Sequence, residues 1–199
     1  LDTLDAITAW LAERTSRRAP EGPPATAAVA PLPVVGHSID GAAVTVRPIA
    51  ASDLPLEADF LRHLSMESRY ERFMVTVGEL PAAKLKYLTD VDQVRHVALV
   101  ATVERDGQET IVGVARYIVD PGGSGCEFAI AIDDGWHGSG LAGILMQTLI
   151  SVARSRGLRT MEGFVLAANA PMLHFARQLG FEARRSAEDR DTVLVVRTL

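Results

Sequence analysis

Trp136-His137-Gly138-Ser139-Gly140-Leu141-Ala142-Gly143 is the stretch on which the reading of this 199-residue chain turns. Just before it, residues 127–132 alternate as a strand. Just after it, Leu141, Ile144, Leu145, Leu149 and Val152 recur at helical spacing, up to Arg154, Arg156 and Gly157, a cationic last turn with a glycine past its end. A glycine-rich link from strand to helix offers backbone N–H groups and the positive end of a helix to an anion. Gly138 and Gly140 lack the Cβ atoms that would hold a phosphate away from those amides. The same residues also serve as a plain connection, small for the sake of packing.

Gly138, Gly140 and Gly143 also spell the dinucleotide pattern G-x-G-x-x-G, and Glu162 follows about 20 residues on, where a ribose-binding acid belongs. The context argues against it. Residues 133–137 separate strand from glycine, where the pattern needs the first glycine directly after the strand. The strand itself reads as the third of an antiparallel meander, and only 56 residues follow Gly143, too few for a second nucleotide-binding half. The NAD reading is rejected on those grounds.

Outward from the loop the pattern is mixed α/β. Upstream, 44–47 reads as a short strand. Helical segments follow at 52–64 and 67–73, and a third opens at Pro81 and carries Leu85 and Leu88. Residues 97–103 and 111–118 read as strands joined by the hairpin signal Asp106-Gly107, and 121–125 turns the chain into the strand at 127–132. Downstream come a strand at 160–166, a helix capped by Asn169 and ended by Gly180, and closing strands at 181–184 and 193–196.

Residues 1–18, with Leu1, Leu4, Ile7 and Leu11, predict an amphipathic helix. Residues 19–43 predict a linker, because five of the ten prolines fall between Pro20 and Pro33 among alanines. The folded domain is expected over 44–199. The chain opens on Leu1 where a Met is usual, so trimming or missing upstream sequence is expected. No apolar run approaches the ~20 residues that span a bilayer, and no leader pattern is visible, which predicts a cytoplasmic protein with no membrane partner.

The 20 Lys+Arg against 25 Asp+Glu leave a net charge of −5, with no basic stripe, which argues against a nucleic-acid partner. A mildly acidic surface suits amines or simply solubility. One cysteine, Cys126, and five scattered histidines supply no metal-ligand spacing, so no metal is expected.

His137-Gly138-Ser139-Gly140-Leu141-Ala142 resembles the pyrophosphate loop of the GNAT superfamily of N-acetyltransferases, Gln/Arg-x-x-Gly-x-Gly/Ala, with His137 in the first place. Asn169 through Gly180-Phe181 is similar to that family's Asn-led helix ending in Leu-Gly-Phe. A narrower resemblance is to the Pat-type bacterial protein-lysine acetyltransferases. Ser65-Met66-Glu67-Ser68-Arg69-Tyr70-Glu71-Arg72-Phe73 carries it, as do Tyr87-Leu88-Thr89-Asp90-Val91-Asp92 and Glu127 in the strand before the loop.

The resemblance implies a GNAT fold, a central twisted and mostly antiparallel sheet that splays near a parallel pair and is flanked by helices. It implies acetyl-CoA as cosubstrate. His137, Gly138, Ser139, Gly140, Leu141 and Ala142 would hold the pyrophosphate, Ile130 and Ile132 would lie along the pantetheine, and Asn169 would stand nearby. The implied partner is a protein presenting a lysine. The cyclic-nucleotide and synthetase-like modules of known Pat enzymes do not fit into the residues before Val44.

The chemistry needs a base. At pH 7 a lysine amine is neutral in about 4 molecules per 10,000, a handicap of roughly 4.6 kcal/mol, and a carboxylate within reach offsets part of it. Glu127 is the candidate, on one face with Ala129 and Ala131 among small and apolar neighbours that tend to raise its pKa. Its other reading is a solubilising charge on an edge strand. The family's proton-returning Tyr is replaced by Ala176, leaving water, the amine or a group such as Tyr117 for that role. Cys126 as a nucleophile, and Arg154 and Arg156 at the 3′-phosphate of CoA, are weaker expectations. Two further functions stay open: a small-amine acetyltransferase and an acyl-CoA sensor without catalysis.

Overall fold

The computed structural model describes residues 31–73, 80–185 and 191–199. The helix expected over 1–18, and the linker before residue 31, lie outside the described residues. The strands are β1 (Val35–Ile39), β2 (Ala42–Pro48), β3 (His96–Arg105), β4 (Gln108–Val119), β5 (Gly125–Ile132), β6 (Thr160–Leu166), β7 (Glu182–Arg185) and β8 (Thr192–Thr198). The helices are α1 (Leu54–His63), α2 (Met66–Phe73), α3 (Ala82–Thr89), α4 (Leu141–Ser155) and α5 (Ala170–Gln178). All eight strands share one sheet in the order β1-β2-β3-β4-β5-β6-β8-β7.

One boundary is corrected. β1 lies inside the stretch 19–43 read as linker, so among the described residues the sheet begins at Val35 instead of Val44. Its hairpin turns on Asp40-Gly41, with φ of 50° and 83°, the left-handed pair that a tight two-residue turn needs. Asp106-Gly107, at 53° and 75°, joins β3 to β4 in the same way and was legible.

Every pairing is antiparallel except β5 with β6, which touch only at Gly125↔Thr160, Cys126↔Met161 and Glu127↔Glu162. Beyond Glu127, β6 stays with β8 along its whole length and leaves β5. The Phe128 ring fills the start of the gap. A Cβ at Gly163 would come within 2.5 Å of that ring, so only glycine fits there. Phe128 in turn packs on Phe181, ring centroids 5.0 Å apart.

Register assigns the two faces. Glu127, Ala129 and Ala131 share a face with Ile118, Arg116 and Val114 of β4, and with His96, Ala98 and Val100 of β3. Phe60, Leu61 and Leu64 from α1 and its end, with Leu85 and Leu88 of α3, cover that face. The opposite face carries Tyr117, Phe128 and Ile132 beneath α4. Leu141, Leu145 and Leu149 of α4 are fully buried, each worth roughly 1.5–3 kcal/mol.

Two aspartates tie element ends. Arg47 grips Asp53 at 2.7 and 2.9 Å, and the Ala50 N–H donates to it as well. Asp92 accepts from the amides of Val94, Arg95 and His96. Burial pushes both acids up, but these donors outweigh it and hold each below the usual 3.8. A depressed carboxylate stabilises the fold above its ordinary value, and that contribution is lost as pH falls through the lower folded value. Urea midpoints are therefore expected to hold down to about pH 5 and to fall below about pH 4, with Asp53→Asn removing part of the fall.

Candidate functional site

Among the described residues the edge of β5 beyond Glu127 pairs with no other strand, and this edge is the floor of the site. The Asp133 N–H donates to the Val112 carbonyl and the Asp120 N–H to the Gly125 carbonyl, each at 2.9 Å. Backbone groups alternate sides along a strand, so those of Phe128, Ile130 and Ile132 face the gap left by β6. The edge from Glu127 to Ile132 runs for about 16 Å. Glu127 and Glu162 stand side by side at its closed end, both half-buried, and the glycine loop stands at its open end.

The loop is built on its glycines. A single 3-10 turn (Asp134–Trp136) leads into it, Gly138 and Gly140 take φ of 76° and 88°, and α4 starts at Leu141. The Ser139 hydroxyl donates to the Trp136 carbonyl at 2.7 Å and accepts from the Leu141 N–H, which fixes the bend. A Cβ at positions 138, 140 or 143 would meet nothing within 4 Å, so the space over the loop is open. Among the described residues, the amides of Gly138, Gly140, Ala142 and Gly143 enter none of the loop's backbone hydrogen bonds. Four amides left open at the positive end of a 15-residue helix suit a diphosphate.

His137 turns the other way. Its Nε2 lies 3.2 Å from the Ile132 carbonyl, to which it donates, so the ring closes the strand end. Main-chain amides, not this ring, form the preformed part of the cradle. Trp136 is packed against the core beneath the loop. Asn169 caps α5, its Oδ1 accepting the Met172 N–H at 2.9 Å.

α2 bridges the mouth of the gap. The Ser65 N–H and hydroxyl and the Ser68 hydroxyl all donate to Asp134, at 2.8, 3.1 and 2.6 Å, and so fasten the helix start to the glycine loop. Farther along, Glu71 bonds to the Asn169 side chain. Burial, then the charge of Glu67, pushes Glu71 up, while nearby His137 and the Asn169 bond oppose the rise. The segment resembling Pat-type enzymes thus holds the loop and α5 together. Its contacts with Asp134 and Asn169 span long sequence separations and leave no local signal.

The opposite wall comes from α3. The Tyr87 ring tilts against His96 at 5.3 Å. Burial raises its hydroxyl pKa, the Arg116 charge opposes that, and the Glu127 charge adds to it. Sequence reasoning passed over Tyr87, Glu71 and Asp134 as site residues.

Several expectations are corrected. Tyr117 is fully buried on the face away from Glu127, its hydroxyl bonded to Arg156 at 3.3 Å, so it cannot return a proton at the Glu127 end. Cys126 lies on that same far face. Burial, with the Asp120 and Glu162 carboxylates nearby, pushes its thiol up to about 12, which keeps it protonated and unreactive. Arg154 and Arg156 stand at the end of α4 opposite the loop, where they compensate the helix terminus. Glu162 pairs with Glu127 instead of lying near the glycines, which removes the ribose contact the NAD reading needs.

A splayed sheet whose strand edge runs from a pair of carboxylates to a glycine loop at a helix start is the architecture of the acyl-CoA-dependent transferases. Comparison with known proteins gives the family. The model of the acetyltransferase (GNAT) family matches residues 59–181. The chain is 37% identical over 155 residues to Acetyltransferase PA5475 of Pseudomonas aeruginosa, spanning 78% of this chain and 83% of that protein. The GNAT domain of S. lividans PAT superposes with a TM-score of 0.76 at 30% identity, over 83% of this chain and 97% of that one. PaiA N-acetyltransferase of Thermoplasma acidophilum, solved with coenzyme A, shares the fold at a TM-score of 0.63 and 14% identity, over 78% and 99% of the two chains. The chain belongs to the GNAT family of acetyltransferases, whose acyl donor is acetyl-CoA. Among the described residues no helix is long and apolar enough to cross a membrane.

Proposed function

We propose that the protein transfers the acetyl group of acetyl-CoA directly to a lysine side chain of a protein in the cytoplasm, with Glu127 as general base. The observation that carries the reading is the edge of β5, unpaired among the described residues, which joins Glu127 to the open amides of the glycine loop. The pyrophosphate rests on the amides of Gly138, Gly140 and Ala142, within the segment from His137 to Ala142. The amide-containing pantetheine arm pairs with Ile130 as an added strand would, and with the N–H of Ile132, whose carbonyl His137 already occupies. That delivers the thioester to the Glu127 end, where the amine loses its proton to Glu127, attacks the carbonyl, and the C–S bond breaks. A buried, protonated Cys126 on the far face supports direct transfer over a covalent relay. The lysine acceptor rests on the Pat-like segment of α2 and on the likeness to the PAT domain.

Thermal unfolding tests the loop. Acetyl-CoA at 100 times its Kd adds about 2.7 kcal/mol, a rise in Tm of roughly 5–10 °C for a domain this size. NAD(H) is expected to give none, and a shift with NAD(H) alone would overturn the reading. Acetyl transfer to a lysine peptide, and none to free small amines, tests the acceptor. The reverse pattern makes the protein a small-amine enzyme, and tight acetyl-CoA binding with no transfer makes it a sensor.

A further inference from the structure

The chain has only two lysines, Lys84 and Lys86, among its 20 basic residues, against eighteen arginines. For an enzyme proposed to acetylate lysines, this places every side-chain amine it owns on one helix. That helix, α3, is one of the two that cover the Glu127 face. Its last turn is held there by Arg116, whose Nη1 donates to the Leu88 carbonyl at 2.8 Å, and Arg116 is paired across the sheet with Ala129 of β5.

The two lysines are not equivalent. Lys86 is exposed and leans back along its own helix to Asp90, 4.0 Å away. Lys84 is half-buried, one turn before Leu88, and its Nζ lies 4.9 Å from the centre of the Tyr87 ring. Tyr87 is the aromatic residue of the wall that feels the Glu127 charge. An ammonium on the face of the aromatic ring that itself feels the Glu127 charge stands on the acceptor side of the site, where an incoming lysine would enter.

We infer that Lys84 is an internal acceptor: with acetyl-CoA bound, the protein acetylates its own Lys84 Nζ. The inference rests on the proposed acetyl-CoA and lysine chemistry. The Lys84 ammonium gives one proton to Glu127, and its nitrogen attacks the thioester carbonyl. The N–C amide bond forms, the C–S bond breaks, and the CoA thiolate leaves to take up a proton as CoA-SH. The balance is acetyl-CoA plus the Lys84 ammonium going to Nε-acetyl-Lys84, CoA-SH and one proton. The product is neutral, so the positive charge on the Tyr87 ring disappears. Modification thereby alters the entrance that an external lysine uses.

The full chain is incubated with acetyl-CoA at two protein concentrations and followed by intact mass and peptide mapping, with a lysine peptide assayed in parallel. The expected result is one acetyl group per chain, on Lys84, acquired at a rate independent of protein concentration. Lys84→Arg abolishes the gain, Lys86→Arg retains it, and Glu127→Gln slows it as it slows peptide acetylation. Equal labelling of Lys86, equal labelling of the Glu127→Gln variant, or a rate constant that scales with protein concentration would each overturn it. An unmodified chain that still acetylates the peptide overturns this inference alone. No acetyl on either chain or peptide overturns the proposed function with it.

Discussion

Glu127→Gln is expected to lower kcat/KM for acetyl transfer by about 10²–10⁴-fold, the usual worth of a positioned general base. The amide keeps the shape and size of the carboxylate at a half-buried position, so Tm and the Kd for acetyl-CoA are expected to stay close to wild type. The cost falls on the proton. Without a base the enzyme depends on amine that is already neutral, and that fraction rises about tenfold per pH unit below the lysine pKa. The deficit of the variant is therefore expected to shrink as the assay is taken alkaline. A structural defect would not show that trend. Glu162 is the necessary control, because it lies beside Glu127 on the same face across the parallel pair. If Glu162→Gln takes the whole loss and Glu127→Gln takes none, the base has been assigned to the wrong member of the pair.

That ambiguity shows where sequence reading stops. The alternation of 127–132 puts Glu127 on a face with Ala129 and Ala131, and the structure agrees. No local pattern reveals that Glu162 joins it, because the pairing depends on how far β5 and β6 run together before they part. Tyr117 fails for the same reason. Its parity within β4 matters only once the register pairs it with Phe128, on the wrong face for the chemistry. Gly163 reads as a weak spot in a strand, and its need emerges only when the Phe128 ring arrives from a neighbouring strand.

Local signals fared better, and unevenly. Asp106-Gly107 reads as a hairpin because an apolar, partly β-branched run precedes it and a return strand follows. Asp40-Gly41 carries the same turn chemistry, but the prolines upstream give its surroundings the composition of a linker and mask the signal. The glycine loop was legible because its function is a property of the backbone: glycines, a strand before and a helix after. The contacts that hold it, from Ser65 and Ser68 to Asp134, join residues 66 to 69 positions apart and were beyond reach.

Arg116→Met is expected to cost about 3–5 kcal/mol, the penalty for stranding one member of a buried ion pair. At roughly 2–4 °C per kcal/mol for a domain of this size, Tm would fall by roughly 6–20 °C. Arg116 is 4% exposed and Glu57 is 1% exposed, and the two meet at 2.9 Å between α1 and β4. Burial pulls the guanidinium pKa down, and the Glu57 charge pulls it back up, so each charge is kept in the interior by the other. The Arg116 Nε is buried without a hydrogen-bond partner among the described residues, which makes the pair costly even when intact. Replacing both partners by apolar residues, Glu57→Leu with Arg116→Met, is therefore expected to recover most of the loss, with a coupling between the sites of about 0.5–3 kcal/mol in a double-mutant cycle. Stability regained in that double variant need not bring activity back. Arg116 also holds the Leu88 carbonyl, and through it the end of α3 that carries Tyr87 over the Glu127 face. A stable double variant with a raised KM for the lysine peptide and an unchanged Kd for acetyl-CoA would place the role of Arg116 in shaping the acceptor wall. Full recovery of both stability and KM would mean the pair only fills space between the helix layer and the sheet.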